Sequence, residues 1–193
     1  MDIKRLFKSL KPLIPVILFS LGLLIFSFST GQSMNEGISE HGKVLFSTVA
    51  KIGRELEKKY GMASFGGGGG AGPDGIRLMS LSLNRVDRGS LNEEEARKLI
   101  IECVDDFLKA VNNNEQLRPF LRDYPFTAKN IELDIYNIDK NQELFQFPSI
   151  AIVANFEGKI GFLTEDPSTK HGYHTKKYET YDEAVALLKK QAG

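Results

Sequence analysis

The sequence predicts an α+β fold: an antiparallel sheet of about four strands with helices packed on one face, plus an N-terminal signal or membrane-anchor helix. Three observations predict it. Residues 39–60 and 93–111 repeat apolar side chains every three or four positions, as amphipathic helices do. Residues 76–83 and 131–136 instead alternate apolar with polar side chains, the period of a half-buried strand. The resulting order, helix, strand, helix, strand, strand, strand, helix, favours an antiparallel sheet covered on one side. Four segments follow: 1–31 as signal or anchor, 32–65 as an amphipathic helical segment, 66–75 as a glycine-rich hinge, and 76–193 as the α+β domain.

The first segment places Lys4, Arg5, Lys8 and Lys11 ahead of a run from 12 to 31 without charge, the anatomy of an export signal. As a helix this run would span about 30 Å, enough to cross a bilayer. Ser20, Ser27, Ser29 and Thr30 dilute its apolar character, and Ser29 with Gly31 provides small residues for cleavage before Gln32. A cleaved signal, a retained anchor and a buried core helix therefore all stay open. Under either membrane reading the basic head stays in the cytoplasm and the body from Gln32 lies across the membrane, exported or anchored in the cell envelope. Lipid anchoring through cysteine is excluded at this site, because the one cysteine is Cys103.

Beyond Gly31, 21 basic residues face 24 acidic ones, so the body has neither the basic stripe of a nucleic-acid binder nor an acidic tail. Leu45, Val49, Ile52, Leu56 and Tyr60 form the stripe of the first helix, which Gly61 can end in the left-handed conformation. Gly53 within it costs up to ~1 kcal/mol relative to alanine, so this helix relies on packing. The run GGGGGAGPDG lacks the Gly-Lys-Ser/Thr of a phosphate loop and leads into a strand, so it reads as a hinge. Met79, Leu81 and Leu83 then alternate with Ser80 and Ser82. Ser90 with Glu93 matches a capping box, and Glu93, Glu94 and Glu95 suit the positive end of the helix that follows. Cys103 falls in that helix's apolar stripe and reads as a small buried hydrophobe. The helix is expected to stop at Asn112, Asn113 and Asn114.

Leu117, Phe120, Leu121, Tyr124 and Phe126, with Pro119 and Pro125, make the next stretch a packed connection. The long acidic-starting helix, LRPFLRDYPF and then an alternating strand resemble uncharacterised exported bacterial proteins over residues 76–137. The resemblance implies location and no known activity.

Ile131, Leu133 and Ile135 alternate with Glu132, Asp134 and Tyr136. Residues 150–156 and 159–163 read as a hairpin turning at Glu157 and Gly158. A short strand is expected near 173–178, and Thr180 with Glu183 caps a last helix carrying Ala184, Val185, Leu187 and Leu188.

Catalytic constellations are absent from the pattern. His171 and His174 lie three apart in an extended stretch, which puts the rings on opposite strand faces and does not match a zinc-protease helix; they are only weak candidates for binding or acid–base work. Glu132 and Asp134 share one strand face and read as solvated. No serine sits in a nucleophile elbow. Tyr136, Phe145, Phe147 and Tyr181 are candidates for a partner surface. The sequence thus predicts a non-enzymatic exported or membrane-anchored binding domain, without cofactor or metal, contacting the membrane through its N-terminal segment and a protein partner in the envelope. The alternative is an envelope enzyme with a site near His171 and His174.

Overall fold

The computed structural model describes residues 39–165 and 172–191. Residues 1–31, expected to be a signal or anchor, and His171 lie outside them. No helix among the described residues is long and apolar enough to cross a membrane.

Helix α1 (Glu40–Tyr60) begins where the Ser39 side chain accepts the Gly42 N–H and ends at Gly61, at φ 62°. Its stripe, Leu45, Val49, Ile52 and Leu56, is buried. Strands β1 (Ala63–Gly72) and β2 (Gly75–Val86) form a hairpin closed at Gly72 and Gly75. Helix α2 (Glu93–Asn112) then crosses the sheet to β3 (Ile131–Ile138), which pairs parallel to β2. Strands β4 (Ile152–Phe156), β5 (Lys159–Glu165) and β6 (Tyr173–Thr180) follow antiparallel, and α3 (Tyr181–Gln191) closes the chain.

The sheet therefore has six strands in sequence order, with one parallel pair, rather than about four antiparallel ones. The parallel pair arises because α2 acts as a crossover, carrying the chain back to the starting end of the sheet before β3 begins. The extra strand is the glycine run itself. Residues 66–75, expected to be a hinge, instead supply most of β1 and the turn at Pro73 and Asp74. Main-chain pairing to β2 needs no side chain, and the missing side chains let α1 come close: a Cβ at Gly67 would lie 2.6 Å from Val49 Cγ1.

A second correction concerns the start of α2. Its capping box is Asn92 with Glu95, not Ser90 with Glu93. Leu91 is buried, its N–H is accepted by Ser149 Oγ at 3.0 Å, and its carbonyl accepts the Ile150 N–H. The chain is thus pinned at Leu91 by both of its main-chain groups, and the helix starts after it. Both spacings fit the capping pattern in this acid-rich stretch, and burial of Leu91 selects between them.

The core lies between the helices and one face of the sheet. Met79, Leu81, Leu83, Leu133, Ile135, Val153, Ile160 and Phe162 meet the stripes of α1 and α2 in a single buried cluster that includes Ala184 of α3. Cys103 is fully buried within it, as its place in the stripe implies. Burial pushes its thiol far above the usual range, so it is inert as a nucleophile while the domain is folded. Asp106 of α2 accepts hydrogen bonds from Lys59 and Tyr60, tying the end of α1 to α2. Tyr181, a candidate for the partner surface, is instead an anchor: its hydroxyl reaches Asp105 and the Ile101 carbonyl of α2.

Candidate functional site

Because strand side chains alternate, the residues between the core positions all project from the other face of the sheet. No described helix covers that face. The register aligns Gly66, Ser82, Asp134, Ala154, Gly161 and Tyr178 in one row across all six strands. Flanking rows hold Gly68, Ser80 and Glu132 on one side and Asn84, Tyr136, Ile152 and Leu163 on the other. The floor of the central row is small. Its one acid stands at mid-sheet.

Aromatic rings border this floor. Phe65, placed outward by a bulge between Ser64 and Gly66, is 53 % exposed and meets Tyr136 edge-on at a centroid distance of 5.2 Å. Phe156, at the end of β4, is 56 % exposed. Tyr178 lies over Gly161, where an added Cβ would come within 2.8 Å of its ring. Register between distant strands was needed to place Phe65, Phe156 and Tyr178, and their isolated positions in the sequence carried no such signal. Of the other sequence candidates, Phe147 is highly exposed and Phe145 half-buried, both outside the named strands.

Electrostatics set the central acids apart from ordinary surface carboxylates. Asp134 faces Glu132 and Tyr136 along β3, Ser82 from β2 and Ala154 from β4, and none of these is a cation. Burial, then the neighbouring Glu132, pushes its carboxyl up to about 6. Burial and Glu157 raise Glu132 as well. Tyr136 is pushed up to about 12 by burial, by Asp134 and by Tyr173. The expectation of a fully solvated face fails here for a physical reason. Neighbouring strands and rings remove water from the acids, and the described residues paired beside them supply no counter-charge.

A stability prediction follows with a definite sign. A carboxyl whose folded pKa lies above its unfolded value binds more protons in the native state, so its contribution falls as pH rises from about 4 to about 6. Asp134→Asn is therefore expected to stabilise the protein by ~1–2 kcal/mol above pH 6, after discounting for partial exposure, and to change little near pH 4. Urea unfolding at pH 4.5 and pH 8 measures this; a loss of stability at pH 8 would show that Asp134 carries a compensating partner.

The histidines do not form a site among the described residues. His174 lies in β6 opposite Thr164. His41 sits on α1 against Phe120, in an edge contact of 5.8 Å. No group of three or more metal-ligating side chains occurs among the described residues. On the helical side, a cleft of about 620 Å³ opens between α1 and the start of the connection after α2, with Lys51, Arg54, Glu55 and Asn114 on its walls. Compared with protein-family models, curated proteins and solved structures, the chain matches none.

Proposed function

We propose that this chain is a non-enzymatic binding domain, exported or membrane-tethered in the cell envelope, that takes a cationic segment of a partner protein on the open face of its sheet. The supporting observation is the central row, which no described helix covers: Asp134 and Glu132 stand beside Ser80, Ser82 and Ala154, bordered by exposed rings, and no cation is paired opposite them among the described residues. A lysine or arginine from a partner would supply the missing charge in a site already partly stripped of water, where a charge-assisted hydrogen bond is stronger than at an exposed surface. Phe65 and Phe156 offer aromatic surface for the apolar stems of such side chains. The basic head and uncharged run of residues 1–31 support delivery to the envelope.

The test is site-specific photocross-linking in cells from a reactive side chain placed at Ser82, beside Asp134 on the open face, followed by identification of the cross-linked peptide. The expected product is a lysine- or arginine-rich segment whose yield drops at least tenfold in the combined E132Q and D134N variant and falls with added salt. Both substitutions remove charge where it is uncompensated, so loss of folding does not confound them. A cross-link insensitive to both changes, or a product without basic residues, overturns the proposal.

A further inference from the structure

We propose that β1 is a pairing edge at which two copies of this chain join antiparallel, β1 against β1, so that two six-stranded sheets become one. This goes beyond binding on the open face and rests on different groups. Strand β1 borders the sheet, and its main-chain N–H and C=O groups from Gly66 to Gly70 on the side away from β2 have no hydrogen-bond partner among the described residues. Among the described residues, only the start of the edge is closed, where Glu57 of α1 accepts both the N–H and the hydroxyl of Ser64 at 2.7 Å.

Sheet edges are ordinarily guarded by charge, proline or a covering element. The two edges here differ in this respect. β6 carries consecutive lysines, Lys176 and Lys177, whereas Ala63–Gly72 contains neither a charged residue nor a proline. With one edge open and the other guarded, association closes at two copies and does not run on into a filament.

The same contrast selects the occupant. An uncharged strand meets no like-charge opposition when it faces itself. Two half-exposed phenylalanines bracket it, Phe46 of α1 at 47 % beside Gly68 and Phe65 at 53 % beside Tyr136. A Cβ at Gly66 would meet nothing within 4 Å, and one at Gly68 would make only ordinary contact with Phe46 and Ser80. An antiparallel two-fold places each copy's phenylalanines over the other's side-chain-free glycines, the cross-strand arrangement in which an aromatic ring covers a glycine. The contact is small, at the low end of specific interfaces, so the dissociation constant is expected on the order of micromolar.

Single cysteines at Gly66 or Gly68 in the full chain test this. The native Cys103 is buried, so the new thiol is the accessible one. Mild oxidation is expected to give a covalent dimer, strongest at the position nearest the two-fold, while a cysteine at Lys159 on β5 stays monomeric. Gly68→Lys combined with the cysteine at Gly66 is expected to reduce the dimer at least tenfold, since the added lysine restores the usual guard. As an independent readout, amide exchange from Gly66 to Gly70 should slow as the wild-type concentration rises. The proposal is overturned if edge cysteines cross-link no better than the one at Lys159, if exchange is independent of concentration, or if the edge cysteine instead captures residues 1–38 of its own chain or a different protein.

Discussion

Replacing Glu179 by alanine is expected to cost about 3 kcal/mol of stability, among the largest losses for any polar side chain in the domain. Glu179 of β6 and Arg97 of α2 are both almost fully buried, 82 positions apart in sequence. The carboxylate accepts the Arg97 Nε–H at 2.5 Å and an Nη2–H at 3.1 Å, and the guanidinium also lies over the Phe162 ring. Glu93, one turn back on α2, accepts a second bond from Nη2 at 2.7 Å, and Lys177 reaches both acids. The Glu179 bonds hold the Arg97 proton more firmly than usual despite burial, so the arginine cannot escape its charge by deprotonation. Truncating Glu179 therefore leaves a buried cation with only Glu93 to meet it. Glu93→Ala is expected to cost less, about 1 kcal/mol, because that site is more open to water. Replacing Arg97 by methionine and Glu179 by leucine together should be near neutral, since the charged pair and its desolvation vanish at once. Urea unfolding followed by circular dichroism measures all three, the chain having no tryptophan to report fluorescence. Equal losses from the single and double replacements would show that packing, rather than charge, dominates. Acid adds a sign: burial tends to raise Glu93, but its bonds from Lys177 and Arg97 hold it below the carboxylate norm. Its share of stability is present above the unfolded pKa and disappears as pH falls through the folded one.

How much of this was legible depends on the range of the interaction. The limits of α1 follow from local chemistry, with Ser39 before the stripe and Gly61 after it, and the structure places the cap at each. The hairpin at Glu157 and Gly158 and the box formed by Thr180 and Glu183 are equally local, and both occur. Pairing across distance is another matter. Alternation puts Glu132 and Asp134 on one face of β3, but whether that face is wet depends on what β2 and β4 set beside it, and register lies outside any single segment's pattern. Arg97 sits next to the apolar stripe of α2, and nothing near it signals a carboxylate returning from β6. The parallel pairing of β2 and β3 was hinted at by the 20-residue helix between them, since a connection of that length permits a crossover.

The glycine run shows the same division within five residues. Read as composition, GGGGG means freedom, and a hinge would respond alike to alanine at every position, with the slight stabilisation that comes from restricting the unfolded chain. As a strand its positions are unequal. A Cβ at Gly69, where φ is 151°, would lie 2.1 Å from the Leu78 carbonyl oxygen, against main chain that cannot swing away. Gly69→Val is therefore expected to cost more than about 3 kcal/mol, through strain and displacement of the β2 pairing together. Gly67→Ala presses on Val49 Cγ1 from 2.6 Å, and because side chains yield more readily than backbone, the cost is about 1–3 kcal/mol. Gly66→Ala meets open space and should stabilise by about 0.4–1 kcal/mol. Thermal unfolding of the three variants orders them 69, 67, 66 from least to most stable; a flat series would return the run to a hinge. The order also separates two uses of glycine in one strand. Gly67 and Gly69 face the helices and Leu78, where the fold itself requires them, while Gly66 and Gly68 face outward, where the fold would accept a side chain. Their bareness is spare with respect to stability, and it leaves room beside Phe65 that only something outside this chain's own core can fill.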